Sequence, residues 1–231
     1  HKVYLYKGKR WLNAYNLFTD SNIWPRGLPL NFINSNVLPT CQLSIVNAYI
    51  QQALADENPD VDAIYRLTSK LPFRFENKPP IALSPYTWCP FNSQATVFFK
   101  EAFPLLYLPS HCSFRMTDIW RSFIAQRCLW EMGGVLMFEK AHVTQDRNEH
   151  NLMKDFEDEI PGYLHNDQIV EYLSEINLNK GTETQTVCDN LYICYEKLVD
   201  KNIFPKDEMD LVIAWIKAFK INKIYDCTQK V

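Results

Sequence analysis

The run Arg115-Met116-Thr117-Asp118-Ile119-Trp120-Arg121 sets one carboxylate, Asp118, at the mouth of an otherwise apolar helix. A carboxylate in a first helical turn is favoured as its anion by the helix dipole, and the helix fixes its direction. That is a place from which an enzyme can aim a general base at a substrate. The plainer alternative is that Asp118 only caps the helix, and the sequence leaves both readings open. Ile119, Trp120, Phe123, Ile124 and Trp130 follow a helical period, with Arg127 the polar residue in the stripe. Thr117 is the expected N-cap, its hydroxyl accepting a free backbone N–H.

Other strings carry residues with possible chemistry. Trp24-Pro25-Arg26-Gly27-Leu28-Pro29 places a guanidinium between rigid turn residues. Arg26 there suits phosphate or carboxylate, or else ties down its own loop. Asn58-Pro59-Asp60-Val61-Asp62 holds a D-x-D string, which either offers oxygen ligands to a hard cation or is a solvated loop. Trp88-Cys89-Pro90-Phe91-Asn92-Ser93-Gln94 sets amides beside rings, suited to the hydroxyls and faces of a sugar, with Asn92 as the alternative cap of an edge turn. His142 follows a buried strand and precedes Gln145-Asp146-Arg147-Asn148-Glu149-His150, a polar cluster at a sheet end, where open α/β sheets bind ligands. His142 is a candidate metal ligand or phosphate donor. The run Lys154-Asp155-Phe156-Glu157-Asp158-Glu159 reads as a solvated helix face.

The elements that must position these groups read as an α/β layer followed by helices alone. Residues 3–6 predict a strand and 19–40 a long irregular loop. Leu43, Val46, Ile50 and Leu54 predict an amphipathic helix from Cys41 to about Glu57. Val61–Leu67, Ile81–Leu83, Gln94–Phe99 and Val135–Phe138 predict strands, and a helical turn is expected near Lys100–Phe103. The Asp118 helix should stop at Gly133-Gly134. Two regions are expected, 1–150 as the α/β portion and 151–231 as an α-helical C-terminal extension.

At 231 residues and 47% hydrophobic, the chain can bury a sizeable core, and 14% aromatic content fills that core with rings. A net charge of −3 argues against a general nucleic-acid binder. No stretch reads as a membrane span, since Pro104, Pro109 and His111 interrupt the apolar run from Ala102 to Phe114. The seven cysteines show neither a C-x-x-C pair nor zinc spacing. The chain opens His-Lys-Val-Tyr without an initiator Met, so a preceding segment is expected.

Four strings together resemble the STELLO-type glycosyltransferases: Asn58–Leu67, Cys89–Gln94, Phe114–Arg121 and Arg147–Leu152. The likeness covers about residues 10–220. A more distant similarity reaches the reversibly glycosylated polypeptides, which act as UDP-arabinopyranose mutases. The resemblance implies a partial GT-A-like fold, the nucleotide-diphospho-sugar transferase sheet with helices on both sides. It also implies a UDP-sugar donor, a divalent cation (Mn or Mg), a carbohydrate acceptor and a Golgi location, whereas the mutases are largely cytoplasmic.

By position, Asp118 falls on the acidic residue that acts as general base, and Arg26 falls near the arginine that becomes sugar-linked in the mutases. His142 lies near a histidine that touches metal or diphosphate. Arg26, Asn92, Trp120 and Arg147 are the expected substrate-binding residues. Thr117 departs from the mutase pattern, where a second acid stands. The nucleotide half with its acidic metal motif is expected to precede residue 1. Three functions follow as expectations: transfer from a UDP-sugar to a hydroxyl, a mutase glycosylated at Arg26, or a non-catalytic module assisting a partner glycosyltransferase.

Overall fold

The computed structural model describes residues 1–34, 39–146 and 151–222. Six strands form one mixed sheet in the order β2-β1-β4-β6-β3-β5. They are β1 (Lys2–Lys7), β2 (Thr40–Ile45), β3 (Asn47–Asp56), β4 (Ile81–Leu83), β5 (Thr96–Phe98) and β6 (Gly134–Thr144). At its heart β3 and β6 run parallel, Ile50 opposite Leu136 and Asp56 opposite Thr144. β5 joins β3 antiparallel and β4 joins β6 antiparallel. Helices α1 (Ala63–Thr68), α2 (Thr117–Glu131), α3 (Leu152–Ser174), α4 (Thr184–Asp200) and α5 (Glu208–Asn222) complete the fold. The architecture is α/β, as expected, and no described helix is long and apolar enough to cross a membrane.

Two elements differ from the sequence expectation. Residues 41–57 form β2 and β3 rather than a helix. In β3 the buried residues Ala48, Ile50, Gln52 and Leu54 keep a period of two, with Ala55 also buried at the strand's end. Ile50 and Leu54 lie four apart, which satisfies helix and strand alike, while Leu43 of the supposed helical stripe is exposed. Where 61–67 predicts a strand, the chain forms α1, Ala63–Thr68. Asp62 accepts the Tyr65 N–H at 2.7 Å, an N-cap that the Val-Asp-Ala string conceals.

Helix α2 is the centre of the molecule, buried on every side from Ile119 to Leu129 rather than along one stripe. Its polar residues serve neighbouring backbone groups. Arg127 donates to the Leu173 and Ile176 carbonyls, and Gln126 accepts the Cys89 N–H. The helix leads out of a 3-10 turn at Phe114–Met116, and no side chain caps it. Thr117 is therefore not the cap, and its hydroxyl faces the Ser113 carbonyl instead. The helix ends at Gly133 with φ +69°, as expected. One continuous core joins Ile50 and Phe138 of the sheet to Phe123 of α2, Leu173 of α3 and Tyr195 of α4.

Candidate functional site

A cavity of about 460 Å³ opens where β3 and β6 end, in the size range of small-ligand sites. Its walls come from several segments of the chain. Asn58 and Asp60 follow β3, Gln145 follows β6, Asn92 and Gln94 precede β5, and Asp118 stands in the first turn of α2. Arg26 enters from the loop, and Phe114 stands at the rim, 89% exposed. The parallel β3–β6 pair thus presents its carboxyl ends to the cavity, the usual place for a ligand in such sheets.

Arg26 organises this site. It forms a two-pronged pair with Asp60, Nε to Oδ1 at 2.9 Å and Nη2 to Oδ2 at 2.8 Å. Nη2 also reaches Asp118 at 3.1 Å, and Nη1 donates to the Arg115 carbonyl. Every nitrogen of the guanidinium is engaged, and the side chain is buried. Burial alone would lower its pKa, but Asp60 and then Asp118 outweigh burial and raise it. For Asp60, burial works upward and the Arg26 guanidinium prevails, holding its carboxyl below the ordinary range. Gly27 lets the loop pass close to α2. Its φ is +91°, and a Cβ there would collide with Ile119. The Gly27 carbonyl accepts from Asn166, whose amide oxygen takes the Trp120 indole N–H at 2.8 Å.

Asp118 bonds outside its own helix, to Arg26 and to the Ser93 N–H at 3.1 Å, and its side chain keeps 19% exposure. The capping alternative for Asp118 is therefore set aside. The Ser93 loop is braced from below by Arg121, whose guanidinium lies 5.2 Å and 5.0 Å from the Phe91 and Phe98 rings. Arg121 Nη2 donates to Ser93 Oγ at 2.9 Å, and burial lowers its pKa to about 10. Arg115 is fixed in turn by the buried Glu159, at 2.9 Å and 2.6 Å.

Arg26, Asn92 and Asp118 thus come together, while Trp120 and His142 do not join them. Asn92 uses Oδ1 to accept the Gln94 N–H, so it offers the cavity its amide NH₂. Trp120 is a core residue bonded to Asn166. His142 lies on β6 beside Glu139 at 2.8 Å and lines a neighbouring recess. Arg147 lies outside the described residues. The D-x-D carboxylates part company: Asp60 lines the cavity, whereas Asp62 is buried under the Trp24 indole at 2.7 Å. Among the described residues no three of His, Cys, Asp and Glu converge as metal ligands. Sequence reasoning did not single out Arg66, Arg115, Phe114 and Gln145 of this wall. All four nonetheless stood in strings that carried a signal: Arg66 within Asn58–Leu67, Phe114 and Arg115 ahead of Asp118, and Gln145 at the head of the polar cluster after His142.

The family model of the STELLO glycosyltransferases matches residues 115–225. The Probable glycosyltransferase STELLO2 of Arabidopsis thaliana is 28% identical over 89% of this chain, and STELLO1 of the same plant is 26% identical over the same share. Each match spans 27% of the relative, so the chain corresponds to about a quarter of those proteins. The STELLO-type resemblance holds along most of the chain, and these matches say nothing of the mutases.

Proposed function

From a STELLO-type, glycosyltransferase-like chain, we propose that the cavity is the acceptor side of a glycosyl-transfer site, with Asp118 as the general base. The acceptor hydroxyl oxygen bonds to the sugar anomeric carbon, the bond from that carbon to the UDP oxygen breaks, and the hydroxyl proton passes to Asp118. The observation that carries this reading is a carboxylate on the cavity wall, aimed by Arg26 and the Ser93 N–H and still partly open. Arg26 and the Ser93 N–H fix the direction of that carboxylate, so its value lies in position. An oxocarbenium-like transition state, of the kind known for glycosidic cleavage, releases the proton late and tolerates a weak base.

Phe114 and the amides of Asn92, Gln94 and Gln145 suit the apolar face and hydroxyls of a sugar. The resemblance also implies a divalent cation on the donor diphosphate. The D-x-D carboxylates do not fit that role, because Asp60 is held by Arg26 and Asp62 is buried elsewhere. No step here passes through a metal.

A sugar carried on Arg26 has less support. That arginine would have to give up a proton its neighbours hold tightly, and its nitrogens are already engaged. The test is transfer from a panel of UDP-sugars by the protein that carries this chain. Asp118→Asn should lower turnover about 10²–10⁴-fold with little change in donor affinity. Retention of most of the turnover would remove Asp118 from the mechanism.

A further inference from the structure

Gln94 belongs to the walls of more than one recess. That residue also walls a second recess of about 510 Å³, over the face of the sheet formed by β5, β3 and β6. Gln51 and Ala53, the β3 residues opposite in side to the buried Ile50 set, form its floor. Val97 stands across from Gln51 in register, and Glu139 across from Ala53. Glu139 and His142 then wall a third recess of about 350 Å³ that is closed by Pro79 and Pro80, just before β4. Three recesses joined by shared walls therefore cross strands β5, β3, β6 and β4. Three strand spacings amount to about 14 Å, too long for one sugar ring.

The groove chemistry is that of a neutral, hydroxyl-rich ligand. Amides mark its course at Asn92, Gln94 and Gln51, Glu139 is bonded to His142, and Lys78 is paired with Glu76. Lys140 stands at the outer end. We propose that this groove binds a neutral, linear glycan chain lying across the sheet, with its growing end beside Asp118. The direction of the chain rests on the transferase reading above, whereas its binding does not.

Calorimetry on this chain with neutral xylo-, manno- and cello-oligosaccharides, from disaccharide to hexasaccharide, tests the groove without any turnover. At least one series should bind about tenfold tighter as it lengthens, each added subsite hydrogen bond contributing a few-fold. Gln51→Val and His142→Val, both β-compatible and outside the Asp118 cavity, should erase that gain and leave disaccharide affinity unchanged. Circular dichroism and melting temperature confirm that the variants fold. Affinity independent of length, a length gain that survives both variants, or preference for an acidic oligogalacturonide would each overturn the inference. An Asp118→Asn protein that binds the hexasaccharide normally yet transfers at the wild-type rate would sink the transferase reading alone.

Discussion

At the scale of single residues, the site is a contest between burial and pairing around Arg26. Asp60 and Asp118 face one guanidinium, and neither carboxylate is more than a fifth exposed, at 13% and 19%. Truncating Arg26→Ala strands two carboxylates together in a poorly solvated place. A loss of roughly 3–5 kcal/mol is expected, measured by urea unfolding at neutral pH, because breaking one side of a buried pair leaves uncompensated charge. Arg26→Lys should recover part of that loss but not the two-pronged grip on Asp60.

Asp62 behaves in the opposite sense from its neighbour Asp60. Burial raises its pKa from 3.8 to about 6, against the N–H donors of Tyr65 and Trp24. A carboxyl with a raised folded pKa favours folding fully below its unfolded pKa and loses that contribution as pH rises through the folded value. The wild type should therefore lose ground to Asp62→Asn as pH rises from about 4 to about 6, by up to about 3 kcal/mol. Denaturation midpoints of the two proteins across that range check the sign. A difference that stayed flat would mean that Asp62 titrates normally.

At the scale of elements, the site exists because a loop, two strand ends and a helix start meet. Gly27 is the hinge of that meeting, with φ +91° and no room for a Cβ against Ile119. Gly27→Ala should cost more than about 1 kcal/mol and lower the melting temperature, since both backbone and packing resist it. A variant as stable as wild type would show that the loop has slack. Much of this meeting was legible in the sequence. The Asp118 helix, its Gly133 stop, the strand at 135–138 and the Arg26 turn all announce themselves through local rules. What local rules could not settle was β3, where residues four apart serve two periods and only the flanking β5 and β6 decide between them. The Arg26–Asp60–Asp118 cluster was not legible either, because it joins positions 34 and 92 residues apart. The D-x-D string read as either cation ligands or a solvated loop, yet its first acid serves an arginine and its second a helix cap. Trp120 sits beside Asp118 in sequence, but a helix turns neighbouring side chains to different faces.

At the scale of the whole molecule, the C-terminal helices share the core that supports the sheet. Glu208, fully buried at the start of α5, accepts from Tyr107, from His111 Nδ1 at 2.7 Å and from the backbone N–H groups of Ser110 and His111. The segment it holds runs directly into the Phe114 turn and the Asp118 helix. Glu208→Ala should thus loosen both ends of that link. The expected result is faster amide exchange in α5 and in residues 107–116, with a stability loss of about 1–3 kcal/mol, on the order expected for orphaning the buried Tyr107 hydroxyl. Unchanged exchange near Phe114 would separate the helical region from the site.

The central claim is that Asp118 meets the acceptor, and a crystal structure of the Asp118→Asn protein with UDP and a bound oligosaccharide tests it most directly. The account predicts a sugar hydroxyl about 2.6–3.2 Å from the substituted side chain, with the glycan running past Gln94. A glycan seated away from that position, or a sugar joined to Arg26, would contradict it.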